Sequence, residues 1–233
     1  MKTIAFDTST MTVAVGVLEE DVLLSEFQLQ GHIRHSESML DMVEEMMKHL
    51  NLKVNEMDLV AVGTGPGSFT GLRIAVTTAK ILGQVLGIPV KGVSSLEALV
   101  EQWDGEGIVI PVLDARRHRL YRGIYEKKAG TVICHKKDDA VDISSIIEEA
   151  KEYGEVVFIG DGLDVAREEL KESLPESIFV SPNNGKIRGT SVGILAQRKF
   201  QEEGSDNLYE LEPNYVRPSQ AMREYRRKHG EDA

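Results

Sequence analysis

The chain has 233 residues, 41% of them hydrophobic, enough to bury one sizeable core or two small ones. Its 27 basic residues are outnumbered by 38 acidic ones, and the net charge of −11 disfavours unaided binding to a polyphosphate, leaving any basic surface to another subunit. The lone Cys134 excludes an internal disulfide and a cysteine zinc site and fits a reducing compartment. The opening MKTIAFDTST lacks the apolar stretch of a signal peptide and no run reaches the length of a membrane span, so the expected setting is soluble and cytoplasmic.

Thr3–Phe6 reads as a strand ending at Asp7. The alternating Val13–Leu18 and Val22–Leu29 continue it as an antiparallel meander. From Ser36 to Leu50 the apolar residues fall at helical spacing, and the short apolar run Leu59–Val62 then enters the glycine turn Gly63–Gly71. A helix over Leu72–Leu86, a strand over Val90–Val93 and a helix over Leu96–Trp103, capped by Ser94 or Ser95, complete a first unit. After the polar stretch Asp104–Gly107 the order starts again. Ile108–Leu113 ends at Asp114, Leu120–Tyr125 and a strand within Thr131–Val141 follow, then a helix over Ile143–Tyr153. Val156–Ile159 runs into Gly160-Asp161-Gly162, a helix covers Leu163–Leu174, Ile178–Val180 is a short strand, and Ser191–Glu203 is the last clear helix. Met222–His229 is basic.

Strand, aspartate, turn, strand therefore occurs twice, as does strand, Gly-x-Gly, helix, which predicts a duplicated βββαβα unit in the α/β, actin-like (Hsp70 and sugar-kinase) class of fold. The expected division is 1–103, then a reduced second unit at 108–212, then a tail at 213–233.

The glycine turn is neither a Walker A loop, since no Gly-Lys-Ser/Thr follows, nor G-x-G-x-x-G, since Ser68 and Thr70 stand where the last glycine would fall. Gly65 and Gly67 still permit close approach of a ligand, Ser68 is a further candidate contact, and the following helix N-terminus favours an anion. The competing reading is a tight turn with Ser68 as a cap. Asp7 and Thr8 at one strand end and Asp114 at the other are the matching candidates for a nucleotide or its Mg²⁺. A plain Asx turn and pairing of Asp114 with Arg116, Arg117 and Arg119 are the alternatives. His32 and His35 lack the further ligands that a metal needs, and neither a G-x-S-x-G elbow nor an activating setting for Cys134 is present. Neither a catalytic residue nor a metal site is expected.

Four of the eight methionines, Met39, Met42, Met46 and Met47, fall on the first helix. In the second, Arg73, Thr77, Lys80 and Gln84 make one narrow polar stripe, so the apolar arc is wider than one-sided packing requires. Methionines and small residues suit an adaptable helix surface, as well as a buried core. The expected intersubunit surface is Met39, Met42, Val43, Met46, Met47, Leu50, Ile74, Ala75, Thr78, Ala79 and Leu82.

GTGPGSFTGLR (Gly63–Arg73), IAFDTST (Ile4–Thr10), LDARRHRLYRGIY (Leu113–Tyr125) and PNYVR (Pro213–Arg217) together resemble the TsaB (YeaZ) family of the bacterial tRNA threonylcarbamoyladenosine (t6A) pathway. The resemblance implies a non-catalytic scaffold that pairs with its catalytic paralogue TsaD through the two helices beside the glycine turn, with the ATPase TsaE as a third partner and tRNA reached through the complex. It also implies a homodimer of the isolated chain. In TsaD the segment after the equivalent helix reads roughly V-N-H-x-E-G-H, with both histidines on metal. Here Val93–Leu99 puts Ser95 and Leu99 in the two ligand positions and keeps Glu97, so a TsaD-like transfer is not expected. ATP or ADP, if bound, would lie at a partner interface. The rival reading is an actin-like phosphotransferase using Asp7, Asp114 and the glycine turns.

Overall fold

A computed structural model describes residues 1–31 and 35–216, with the side chains of 35–37 excepted; His32, the side chain of His35 and the basic tail lie outside the described residues. Strands β1 (Lys2–Asp7), β2 (Thr12–Glu19) and β3 (Val22–Gln30) form the meander, followed by α1 (His35–Leu50), β4 (Leu59–Gly63), α2 (Phe69–Leu86), β5 (Val90–Val93) and α3 (Ser95–Glu101). The second set is β6 (Gly107–Asp114), β7 (Arg119–Lys128), β8 (Thr131–Asp142), α4 (Ile143–Lys151), β9 (Val156–Ile159), α5 (Leu163–Ser173), β10 (Ile178–Phe179) and α6 (Gly189–Glu203).

The two sheets have the same topology. The first runs β3-β2-β1-β4-β5 and the second β8-β7-β6-β9-β10, each with an antiparallel meander and two parallel additions. The repeat is therefore βββαβαβα, one strand and one helix longer than the expected unit. β1 and β4, central in the first sheet, bury almost every residue, which is why they read as continuous apolar runs rather than alternating ones.

The last helix of each unit crosses over. α3 packs on β6 and β7 of the second sheet, while α6 packs on β1, β2, β4 and β5 of the first. A single apolar layer between the sheets results, built from Leu96, Leu99, Val192 and Leu195 against Ala5, Leu59, Val109 and Tyr125. α6 reaches its sheet because side chains are missing there: a Cβ on Gly189 would stand 2.3 Å from the backbone nitrogen of Gly16, and one on Gly193 would stand 2.4 Å from Leu18. Residues 204–216 then return along the first sheet. Asp206 accepts from Gly92 N–H at 2.7 Å and, with Glu203, holds the buried Lys91 ammonium. α6 and 204–212, assigned by order to the second unit, pack on the first sheet.

Glu97 of α3 pairs with Lys199 of α6 at 2.5 Å, and burial pushes its carboxyl above the usual carboxylate range. It is a structural tie between the two crossing helices. In the second unit the buried Arg122 makes a bidentate pair with Glu149 of α4, both bonds 2.7 Å. No helix among the described residues is long and apolar enough to cross a membrane.

Candidate functional site

The structure gives the two strand-end aspartates different fates. Asp7 is 1% exposed. Its Oδ1 accepts from the Ser9 amide at 2.7 Å and the Ser9 hydroxyl at 2.6 Å, and Oδ2 accepts from Ser95 Oγ at 2.6 Å. Burial raises its pKa and these hydrogen bonds oppose the rise. Ser95 Oγ also accepts from Gly65 N–H at 3.1 Å, and the Ser95 amide donates back to Gly65 O at 2.8 Å. Asp7 is thus a buried clasp joining β1, the glycine turn and the start of α3. Thr8, fully buried, donates to Gly71 O at 2.6 Å. The expectation that Asp7 and Thr8 touch a nucleotide is corrected by this geometry, because both side chains are buried and hydrogen-bonded inside the protein.

The glycine turn is turned inward as well. A Cβ on Gly67 (φ +158°) would lie 2.2 Å from the carbonyl oxygen of Ser9, and the Ser68 amide donates to that oxygen at 2.6 Å. Gly65, buried, has its amide on Ser95. Ser68 caps α2, accepting from the Gly71 amide at 3.3 Å, and is itself exposed. The capping reading of the turn holds, and Gly65 is withdrawn from ligand contact.

What stays open is a cleft of about 520 Å³ between the units. One wall carries Ser9, Thr10, Gly67 and Ser68, and the other Asp114, Arg116, Arg117, Asp161, Asp164 and Lys186. Asp114 accepts from the Arg116 amide at 2.7 Å and pairs with its guanidinium at 3.1 Å, as the pairing alternative anticipated. Asp164 pairs with Lys186 at 3.2 Å. Asp161 accepts from the Asp114 amide at 3.4 Å, and burial pushes its carboxyl up to about 6. Arg116, Arg117 and His118 have φ of 63°, 58° and 57°, three successive left-handed residues that hold the β6–β7 loop in a strained, exposed turn.

At the mouth of the cleft the chain builds an aromatic stack. Phe69 and Tyr215 lie 4.5 Å apart at 28°, the Arg73 guanidinium sits 4.1 Å from the Phe69 centroid, and Arg73 Nε donates to Tyr215 Oη at 2.9 Å. The stack exists because the segment after α6 returns to the glycine turn, with the Asn214 amide donating to Thr64 O at 2.7 Å. Sequence reasoning assigned none of Phe69, Arg73 or Tyr215 to a site. They lie 142 residues apart at the extremes of one hydrogen bond, and no local pattern joins them.

The expected helix surface divides. Met39, Val43, Met46, Met47, Ala75 and Ala79 are buried in the chain's own core beneath the first sheet, so their assignment to an intersubunit surface is corrected. Met42, Leu50, Ile74, Thr78 and Leu82 are half-buried. Residues outside the expected set dominate the exterior: Ile81 is 54% exposed, Val85 74%, Leu86 37% and, on α1, Leu40 51%. Ser95 and Leu99 are both fully buried. No group of three or more His, Cys, Asp or Glu suited to a metal occurs among the described residues. Cys134 is exposed on β8.

With this geometry in hand, known proteins resemble the chain in consistent ways. The family model for TsaD, tRNA N6-adenosine threonylcarbamoyltransferase, matches residues 30–225. The Bacillus subtilis tRNA threonylcarbamoyladenosine biosynthesis protein TsaB is 30% identical across 95% of this chain and 96% of its own. The chain belongs to the TsaB (YeaZ) family. Among solved structures, a Pseudomonas aeruginosa protein similar to peptidase YeaZ superposes with a TM-score of 0.77 at 22% identity, covering 93% of this chain and 99% of that one. A Thermus thermophilus ROK hexokinase superposes with a TM-score of 0.51 at 14% identity over 87% of this chain and 100% of that one, placing the TsaB fold in the actin-like class.

Proposed function

We propose that the chain is a non-catalytic scaffold subunit in the making of t6A at position 37 of tRNA, docking the catalytic TsaD through the outer face of α1 and α2, with TsaE as a further partner and the cytoplasm as its place of work. The observation that carries the reading is the row Ile74, Thr78, Ile81, Leu82 and Val85, spaced i, i+4, i+7, i+8 and i+11 along α2. Within it Ile81 and Val85 are exposed, while Ile74 and Leu82 pack partly on the core. A row of that kind on a helix whose other side is already buried fits a partner helix. The same row serves a homodimer when the partner is absent.

The non-catalytic part of the reading is supported by Ser95 and Leu99, which offer no imidazole and no access. An independent phosphotransferase loses support because Asp7 is sealed and Asp114 is neutralised by Arg116. ATP or ADP is then expected at a site shared with a partner rather than in this chain alone.

Val85→Glu and Ile81→Glu are expected to leave the thermal midpoint within a few degrees and to lower recovery of TsaD in co-purification by roughly tenfold or more, since a charge is placed in a desolvated contact. Undiminished recovery of TsaD would sink the docking face. Met46 and Ala79 are unsuitable for this test, because both are fully buried and a charge there unfolds the chain.

A further inference from the structure

The cleft at the mouth of the glycine turn keeps few of the parts of a nucleoside triphosphate site. Such a site uses a cradle of free backbone amides and a carboxylate that holds the metal. Here the amides of Gly65, Ser68 and Gly71 are spent on Ser95, Ser9 and Ser68 Oγ, and Asp114 is held by Arg116. The parts that remain are different in kind. Tyr215 is 38% exposed, backed by Phe69 and by the Arg73 guanidinium, so one rigid aromatic face is presented to the cleft. The strained loop, which lines the same cleft, holds Arg116, 76% exposed and paired with Asp114, and the exposed Arg117. A stacking ring and exposed guanidinium groups lining one cleft are the chemistry that takes up an unstacked base and its flanking phosphates.

We propose that this cleft seats an unpaired nucleotide of a single-stranded RNA loop, its base stacked on Tyr215 and its phosphodiester met by Arg116 and Arg117. The choice of RNA rests on the t6A reading above; the stacking face and the guanidinium loop are independent of it. With a net charge of −11 the contact is led by stacking and is weak for the isolated chain. A duplex, which hides its base faces, is excluded.

The test is ultraviolet crosslinking of the full-length chain to a labelled RNA hairpin with a single-stranded, adenosine-containing loop, mapped by peptide mass spectrometry. Crosslinks are expected on the peptides carrying Phe69 or Tyr215, with yield reduced roughly tenfold in Tyr215→Ala, retained in Tyr215→Phe, and reduced in the double variant Arg116→Ala/Arg117→Ala in a manner that weakens the salt dependence. A blunt RNA duplex should give little product. Absence of crosslinks, crosslinks elsewhere, undiminished yield in Tyr215→Ala, or protection by ATP at concentrations below those of the hairpin would each overturn the proposal. TsaD co-purification measured on the same variants separates the two readings: it is expected to survive Tyr215→Ala, so loss of docking and loss of RNA contact fail independently.

Discussion

The variant Gly71→Ala is expected to lose about 3 kcal/mol of folding free energy, the upper end of what forcing a side chain into a filled site costs. The sign is the informative part. Within the first turns of a helix, alanine ordinarily gains about 1 kcal/mol over glycine, through propensity and reduced freedom of the unfolded chain. At position 71 the added Cβ would stand 1.8 Å from the carbonyl oxygen of Thr8, a backbone atom that cannot swing aside. Thr8 also donates to the Gly71 carbonyl at 2.6 Å, so the contact is held from both sides. α2 must lift from β1, and with it go the buried Leu72, Ala75, Val76 and Ala79. Urea denaturation of Gly71→Ala beside Gly87→Ala measures this. Gly87 has open space around its Cβ position and suffers only from its φ of +70°, so it should cost roughly 1 kcal/mol. Equal and small effects at the two sites would show that the close approach of α2 to β1 is not tight.

Asp161→Asn is expected to act in the opposite direction. A carboxyl whose pKa stands at about 6 in the folded chain against an ordinary 3.8 binds its proton more tightly when folded, and the gap corresponds to about 3 kcal/mol at most. The sign follows from linkage. The stability contributed by the protonated group is fully present below about pH 4 and is lost as pH rises through about 6, so at pH 7.5 the buried charge opposes folding. Asparagine is neutral throughout and its oxygen can still accept from the Asp114 amide. The thermal midpoint at pH 7.5 should therefore rise by roughly 5–10 °C, with the gain gone at pH 4. A variant less stable than the parent at pH 7.5, or a gain independent of pH, would contradict the assignment of burial as the cause. A charge retained in the cleft against stability is consistent with selection for the site rather than for the fold.

Much of this protein is legible in its residues. The strand and helix order was readable because β1, β4, β6 and β9 are short apolar runs and α1, α2 and α4 carry helical periodicity, signals that depend only on neighbouring residues. The duplication was readable for the same reason, since an aspartate at a strand end and a Gly-x-Gly turn recur in the same order. The helix surface was half legible: Met39, Met46, Ala75 and Ala79 have the composition of an adaptable interface, and the identical composition of a core, and only packing beneath the sheet decided between them. Ile81 and Val85 looked like the rest of the apolar arc until the structure showed which side of it was covered.

The glycine turn shows the division most clearly. Its residues by themselves determined that the backbone there makes close approaches and that no Walker or dinucleotide fingerprint is present. Only the tertiary structure decided that the approach is to Ser9, Thr8 and Ser95 of the same chain rather than to a phosphate. Likewise the sequence contains Phe69, Arg73 and Tyr215, but whether they meet depends on α6 crossing to the first sheet and the chain returning to Thr64. Local sequence encodes dihedral preference and face polarity, whereas which surfaces remain for a partner or an RNA is set by long-range contacts, whose pairing is decided by the packing of the whole chain.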